Sequence, residues 1–302
     1  MLFSFQGYQQ MGNALGQSDL LRSCPFEIAR FENEEAHAVV EAPIANRPCF
    51  VLGSIAPPDS RLVELTLLAH TLKVQGASHT TAIIPYLAYT RQDKMKAGES
   101  LAAAWAGALL RASGIDQILT VDVHSERDKQ LFPIPLISLS PANLFAVEIE
   151  KRGLLNATIV APDRGAIPRC EAVRKALGLP SCDCPYFEKK RMDQGIVHGR
   201  LAGEVEKKAI IVDDMLDTGG TLMSACEKLI EAKVEEIWIF VTHGLFTGNE
   251  WQKLWSLRVS RVFCTDTISP TARIGGEERV TVLSVASMLQ EALAGAEVKA
   301  SR

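Results

Sequence analysis

The sequence predicts an α/β protein of two similar domains, each a mostly parallel sheet flanked by helices. Three observations carry that expectation. Segments of helical apolar spacing alternate with short apolar runs, the pattern of parallel sheets covered on both faces. The alternation repeats one plan: helix, short Gly- or Ala-containing turn, strand, polar loop. A stretch with three prolines, FPIPLISLSPANLF, reads as a crossing between two halves that carry about the same number of units. The boundary is therefore expected near residue 145, giving domains 1–145 and 146–302.

In chain order, RPCFVLGS reads as a strand. Leu62, Leu65, Ala69 and Leu72 fall at helical spacing, Gly76 stops that helix, and TAIIPY is a buried strand. Leu101, Trp105 and Leu109 share one face of the next helix, Gly114 ends it, and QILTVDV follows as a strand. NATIVAPD and KAIIVDD read as further strands, separated by a helix that starts near Pro168 and stops at Gly178. Leu222, Cys226 and Leu229 line a third helix face ahead of the strand EIWIFVTH. The Ala-rich C-terminal tail is expected to fray.

Composition narrows the class. Of 302 residues, 47% are apolar, enough for sizeable cores, yet no apolar run reaches the roughly 18 residues of a membrane span. The start, MLFSFQGYQQ, lacks a basic segment followed by a long apolar stretch, so no signal peptide is expected. Seven cysteines are scattered, and CDC lacks zinc-site spacing, so reduced thiols in a cytoplasmic protein are expected. A net charge of −4 argues against general nucleic-acid binding. An anionic substrate would need a local cationic cluster or a metal.

The most informative stretch is KKAIIVDDMLDTGGTLMSACEKL. Ligands of parallel α/β sheets bind beyond the C-terminal strand ends, and AIIVDD delivers Asp213 and Asp214 to that edge. The next residues, Asp217, Thr218, Gly219, Gly220 and Thr221, lie where a helix begins. Free amides there carry partial positive charge and suit a phosphate. Gly219 and Gly220 allow close backbone approach, and the two threonines add hydroxyls. Carboxylates repel phosphate, so the acid pair faces something else: vicinal sugar hydroxyls or a metal. A phosphorylated sugar is implied. A lone DTGG equally describes a capped turn; the whole pattern after a strand is more specific.

Other loops follow the same plan. Arg91, Gln92 and Asp93 lie at a strand end, followed by Lys94, Lys96 and Gly98; alone they read as a solvated loop. Asp122 and His124, two apart on a strand, share a face, where a metal or phosphate role fits. IVAPDRGAIPRC places Asp163 and Gly165 between a strand and a helix. Lys189, Lys190 and Arg191 cluster positive charge, a pattern that more often marks a solvated face. ARFENEEAHAVVE alternates as an edge strand would.

The Asp213–Thr221 pattern resembles the phosphoribosyl-diphosphate (PRPP) loop of the type I phosphoribosyltransferases and of the ribose-phosphate diphosphokinase (PRPP synthetase) family. The resemblance to the second covers roughly residues 20 to 295, with motifs in the family's order, VTHGLFTG among them. It implies a type I phosphoribosyltransferase-like fold and an ATP side in the first domain, with Arg91, Gln92 and Asp93 at the nucleotide. Phe31, Asn33 and Glu35 would hold adenine from a neighbouring subunit. It implies His124 as a catalytic and metal-linked residue, Asp163 as a metal-linked residue with Mg2+ as cofactor, and Lys189 and Arg191 as the catalytic cations that stabilise the transferring group. Asp213 and Asp214 would orient ribose 5-phosphate and Asp217 to Thr221 would anchor its phosphate.

The implied reaction is diphosphoryl transfer from ATP to ribose 5-phosphate, giving PRPP and AMP, by a homo-oligomer of two or more subunits, with no nucleic-acid or membrane partner. Departures are Pro58 and Ala166, where the family has Asn and Gly, and SERDKQLFP after His124, where it commonly has Ser-Gln-Ile-Gln-Gly-Phe-Phe. A phosphoribosyltransferase consuming PRPP would share the opening loop without needing the Arg-Gln-Asp segment. A non-catalytic, synthetase-associated subunit would not need His124, Asp163 and the cationic cluster.

Overall fold

The apolar runs become the strands of two five-stranded sheets in which every neighbouring pair is parallel. The computed structural model describes residues 1–17, 21–180, 183–192, 195–268, 274 and 276–300, with the side chains of 189–198 and 296–300 outside that description. The chain divides into two units, Met1–Leu139 joined by the segment from Ala286, and Ser140–Val285.

The first unit contains β1 (Leu2–Ser4), α1 (Gln9–Gly16), β2 (Glu27–Arg30), β3 (Ala36–Val39), β4 (Pro48–Leu52), α2 (Ser60–Val74), β5 (His79–Ile83), α3 (Ala102–Ala112), β6 (Gln117–Val121), α4 (Asp128–Leu131) and β7 (Leu136–Leu139). Its sheet runs β1-β4-β5-β6-β7, and β2 and β3 form a separate antiparallel hairpin. Leu62, Leu65, Leu68, Ala69 and Leu72 are the buried stripe of α2, and Gly76, at φ +90°, carries the chain out of it.

Two expectations for this unit change, and one strand was not foreseen. The proline-rich stretch is more than a crossing: Leu136–Leu139 pairs with β6 as an edge strand, between Pro135 and Pro141. Strand β1, too short to show a period, pairs with β4. The buried face of α3 is Ala103, Ala106, Gly107 and Leu110, while Trp105 is 49% exposed and Leu109 also faces outward. The reason is close approach: a Cβ on Gly107 would stand 3.1 Å from the Phe132 Cα and 3.0 Å from Pro133 Cδ. At Gly107 no side chain fits against that segment, and Trp105, on the opposite side, packs edge-on to Tyr89.

The second unit contains α5 (Ala142–Lys151), β8 (Thr158–Val160), α6 (Ile167–Ala176), β9 (Tyr186–Met192), β10 (Gly195–Ala202), β11 (Lys208–Leu216), α7 (Gly220–Glu231), β12 (Glu236–Gly244), β13 (Val259–Thr265) and β14 (Val280–Leu283). Residue 145 falls within α5. The sheet order is β14-β13-β12-β11-β8, and β9 and β10 pair as an antiparallel hairpin. Period-two alternation divides the core. Ala209, Ile211, Ile237, Ile239 and Val241 join Leu222, Cys226, Leu229 and Trp251 on one face. Ile210, Val212, Phe240 and Phe263 join Phe145, Ile149, Cys170 and Val173 on the other.

Finally α8 (Ala286–Ala300) packs on α1 within the first unit and buries Leu289 and Leu293, so the Ala-rich tail is helical rather than frayed in the described structure. No described helix is long and apolar enough to cross a membrane.

Phe240 stacks on Phe263 at 4.4 Å and meets Phe145 edge-on at 5.5 Å. Phe240→Ala should cost about 3–5 kcal/mol through lost transfer energy and a cavity, read as a lower urea midpoint.

Candidate active site

Strand β11 is flanked on both sides, by β8 and β12, so its residues cannot slip in register without breaking two ladders. It presents Asp213 and Asp214 side by side near its C-terminal end. Asp214 is buried, its N–H donates to Asp213 Oδ1 at 2.9 Å, and its Oδ2 lies 3.9 Å from Arg169 Nη2. Burial and the neighbouring Asp214 charge push the Asp213 carboxyl well above the usual carboxylate range; the Asp214 amide and Arg169 pull the other way, and Asp163 adds a further negative field. Three acids of this unit therefore share one neighbourhood with one half-buried cation. Arg169 escaped the sequence reading. Its signal is a basic residue directly after Pro168 at the helix start, six residues beyond Asp163.

The turn that follows has the geometry of an open anion seat. Gly219 adopts φ +89° as the N-cap of α7, and no side chain caps that helix. The first helical bond runs from Met223 N–H to the Gly219 carbonyl at 2.8 Å, so the amides of Gly220, Thr221 and Leu222 precede the ladder. Nothing lies within 4 Å of where a Cβ on Gly220 would stand, and Thr218 and Thr221 are exposed. On the inner side the turn is clamped. Leu245 and Phe246 N–H donate to the Leu216 carbonyl, and Thr247 N–H to the Asp217 carbonyl, at 2.9–3.1 Å. A Cβ on Gly219 would stand 2.9 Å from the Trp251 Cα.

Asp163 accepts from the Gly165 and Ala166 amides at 2.6 and 3.2 Å, capping the short helical turn 164–166. Ala166 is buried beneath it, so its methyl group points into the core. Lys189, Lys190 and Arg191 lie on β9, in register with His198, Val197 and Ile196 of β10; their side chains lie outside the described residues.

In the first unit, β5 and β6 are neighbours with Ile83 opposite Leu119. Their following loops carry Arg91, Gln92 and Asp93 on one side and Asp122 and His124 on the other. Asp122 and His124 do not share a strand face: β6 ends at Val121, and Asp122 turns the chain at φ 47°. Arg91, Gln92 and His124 are exposed, whereas Asp93 is nearly buried. Tyr89, the first residue of the Tyr-x-Arg-Gln-Asp stretch, donates to Asp59 at 2.6 Å. At the tip of the β2–β3 hairpin, Phe31 is 55% exposed and stacks on His37 at 4.3 Å. Asn33 Oδ1 accepts from the Glu35 amide, an Asx turn that shapes the tip.

Among the described residues no group of three or more His, Cys, Asp or Glu is arranged to hold a metal ion. The acids near Asp213 thus do not form an all-protein cage, and magnesium there would need waters or ligand oxygens to complete its coordination.

A parallel sheet with an acid pair and a Gly-Gly helix start at one strand end places the second unit in the phosphoribosyltransferase class. Residues 129–275 match the family described as phosphoribosyl transferase domain, and residues 1–114 the N-terminal domain of ribose phosphate pyrophosphokinase. The chain is 32% identical to a ribose-phosphate pyrophosphokinase of Vibrio parahaemolyticus, over 88% of this chain and 86% of that protein. It is also 32% identical to one of Methanothermobacter thermautotrophicus, over 93% and 95%. The crystal structure of a phosphoribosylpyrophosphate synthetase from Mycobacterium smegmatis superposes with a TM-score of 0.85 at 27% identity, covering 99% of both chains. The chain belongs to the ribose-phosphate pyrophosphokinase family, an enzyme family of nucleotide biosynthesis.

Two outcomes test the site. Gly219→Ala forces a side chain into a positive-φ position against backbone, and should destabilise the protein by about 1–3 kcal/mol and weaken sugar-phosphate binding in calorimetry. Because burial raises Asp213 above its unfolded value, its favourable contribution exists at low pH and is lost as pH rises through the folded pKa. Asp213→Asn should therefore raise the melting temperature at pH ~8 while lowering ribose 5-phosphate affinity, a stability–function trade-off.

Proposed function

We propose that the protein transfers the diphosphoryl group of ATP to the 1-hydroxyl of ribose 5-phosphate, giving PRPP and AMP. The hydroxyl oxygen attacks the β-phosphorus in line. A C1–O–Pβ link forms, the bond from Pβ to the oxygen bridging the α-phosphorus breaks, AMP departs with that oxygen, and the hydroxyl proton passes to solvent. The observation that carries this reading is the uncapped, open helix start at Gly219–Gly220 directly beyond the Asp213–Asp214 pair, in a chain of this family.

Each group has a task set by its chemistry. Asp217, Thr218, Gly219, Gly220 and Thr221 receive the 5-phosphate on backbone amides and hydroxyls. Asp213 and Asp214 accept hydrogen bonds from the ribose hydroxyls, with Arg169 holding Asp214 in place. Lys189 and Arg191 stabilise the β and γ phosphates during transfer, the Lys as a compact charge and the Arg as a planar fork. The first unit handles the nucleotide through Arg91, Gln92 and the exposed His124. Phe31 with Asn33 and Glu35 serves the adenine of a neighbouring subunit, which makes the working form a homo-oligomer. Asp163 in the second unit and His124 in the first are each assigned as magnesium-linked residues, and bound magnesium would supply neutralisation of triphosphate charge. Positioning and electrostatics carry most of the catalysis in phosphoryl transfer. Action in the cytoplasm fits the buried, free cysteines among the described residues.

The test is purified protein with magnesium, ATP and ribose 5-phosphate, measuring AMP and PRPP together. Equal amounts of both support the reading. Pyrophosphate release from PRPP and a nucleobase would make the protein a transferase that consumes PRPP, and no turnover in either assay would make it a non-catalytic subunit. Lys189→Ala should lower turnover by on the order of 10²–10³ while ribose 5-phosphate binding persists in calorimetry.

A further inference from the structure

The segment SERDKQLFP, where the chain departs from its family's pattern, builds a connection that the reaction above does not use. Ser125 Oγ donates to Asp93 Oδ2 at 2.9 Å. The Ser125 N–H donates to Asp128 Oδ2 at 3.0 Å, and the Asp128 N–H returns a bond to the Ser125 carbonyl at 3.1 Å. Asp93 is the last residue of the Arg-Gln-Asp segment after β5. Ser125 directly follows His124 after β6. The Ser125–Asp93 hydrogen bond thus spans two loops that leave the same sheet edge from adjacent strands, the edge at which parallel sheets bind ligands.

The arrangement is unfavourable on its own terms. Asp128 is fully buried, and its Oδ1 has no hydrogen-bond partner. Desolvation pushes its carboxyl up to about 6, with the Asp93 charge adding to the rise and the Ser125 amide and His124 opposing it. A buried carboxylate with one unsatisfied oxygen costs stability, and this one carries that cost while organising its surroundings. What it organises is the turn that carries His124. With its amide tied to Asp128, Ser125 has its hydroxyl held toward Asp93.

We infer that Asp128, Ser125 and Asp93 form a latch fixing the spacing of the two loops, and that all three are positioning residues for the nucleotide. On this assignment Asp93 acts through Ser125 rather than by touching ATP, and substrate contact falls to the exposed Arg91, Gln92 and His124. The inference rests on the diphosphoryl-transfer reading for its functional consequence. The latch itself is a property of the free protein.

The experiment compares Ser125→Ala with Ser125→Thr, and Asp128→Ala with Asp128→Asn, in the full chain. Steady-state kinetics are paired with hydrogen–deuterium exchange of the ligand-free protein. Losing a charge-assisted hydrogen bond that positions one substrate should raise KM for ATP about tenfold in Ser125→Ala and leave KM for ribose 5-phosphate within about twofold. Amides of residues 122–128 should exchange faster. The threonine variant, which keeps the hydroxyl, and Asp128→Asn, which keeps a carbonyl acceptor for the Ser125 amide, should restore both readouts toward wild type. Unchanged exchange and unchanged KM in Ser125→Ala would overturn the latch. An equal loss for both substrates with a lowered melting temperature would reduce it to a structural contact. Absence of AMP formation by the wild type would instead defeat the reaction assignment, and the exchange result would still decide the latch.

Discussion

The second unit depends on one packing constraint: the turn after β11 has space for a glycine and nothing larger. Gly219 sits at positive φ with Trp251 backbone against it, and the amides of residues 245–247 hold the carbonyls of Leu216 and Asp217 from within. Carbonyls drawn inward leave the turn's remaining polar groups to the outer side. The helix begins without a side-chain cap because its cap position carries no side chain. Conformation and close packing are therefore one property of the segment Asp217–Thr221.

Electrostatics complement that geometry. An anion seat beside two carboxylates works only if the carboxylates face a different part of the ligand and if their mutual repulsion is managed. Arg169, at the start of α6, sits close to Asp214, and the Asp214 amide binds Asp213. The residual cost appears as the raised pKa of Asp213. Carboxyl groups perturbed by burial and by a neighbouring charge in this way cluster at functional sites.

The first unit meets a related need by different means. The loop after β5 is exposed over residues 91–92 and 94–100, and side-chain ties hold it at two points. Tyr89 to Asp59 anchors the front of one loop, and Asp93 to Ser125 anchors its middle against the next strand's turn. Both ties use residues of the Tyr-x-Arg-Gln-Asp stretch, Tyr89 and Asp93. The α3 helix makes the same point for the core: its largest side chains face out because its backbone lies too near Phe132 and Pro133.

Local pattern was enough for the fold class, the longer strands and helices, and the Gly-Gly helix start that follows the acid pair. Period-two and period-3.6 burial are properties of short segments, and a strand–Asp-Asp–Gly-Gly–helix run encodes its turn within a few residues. What local pattern did not reveal has a common cause. Strands β1 and β7 are too short or too proline-flanked to show a period and exist because a neighbouring strand offers a ladder. The exposure of Trp105, the burial of Asp128 and Asp93, and the Arg169–Asp214 pair depend on atoms far away in the chain. The sequence by itself determined which segments carry polar chemistry at strand ends. Only the tertiary structure decided which of those polar groups face solvent and which are spent on one another, because burial and hydrogen-bond partnership are set by contacts between segments.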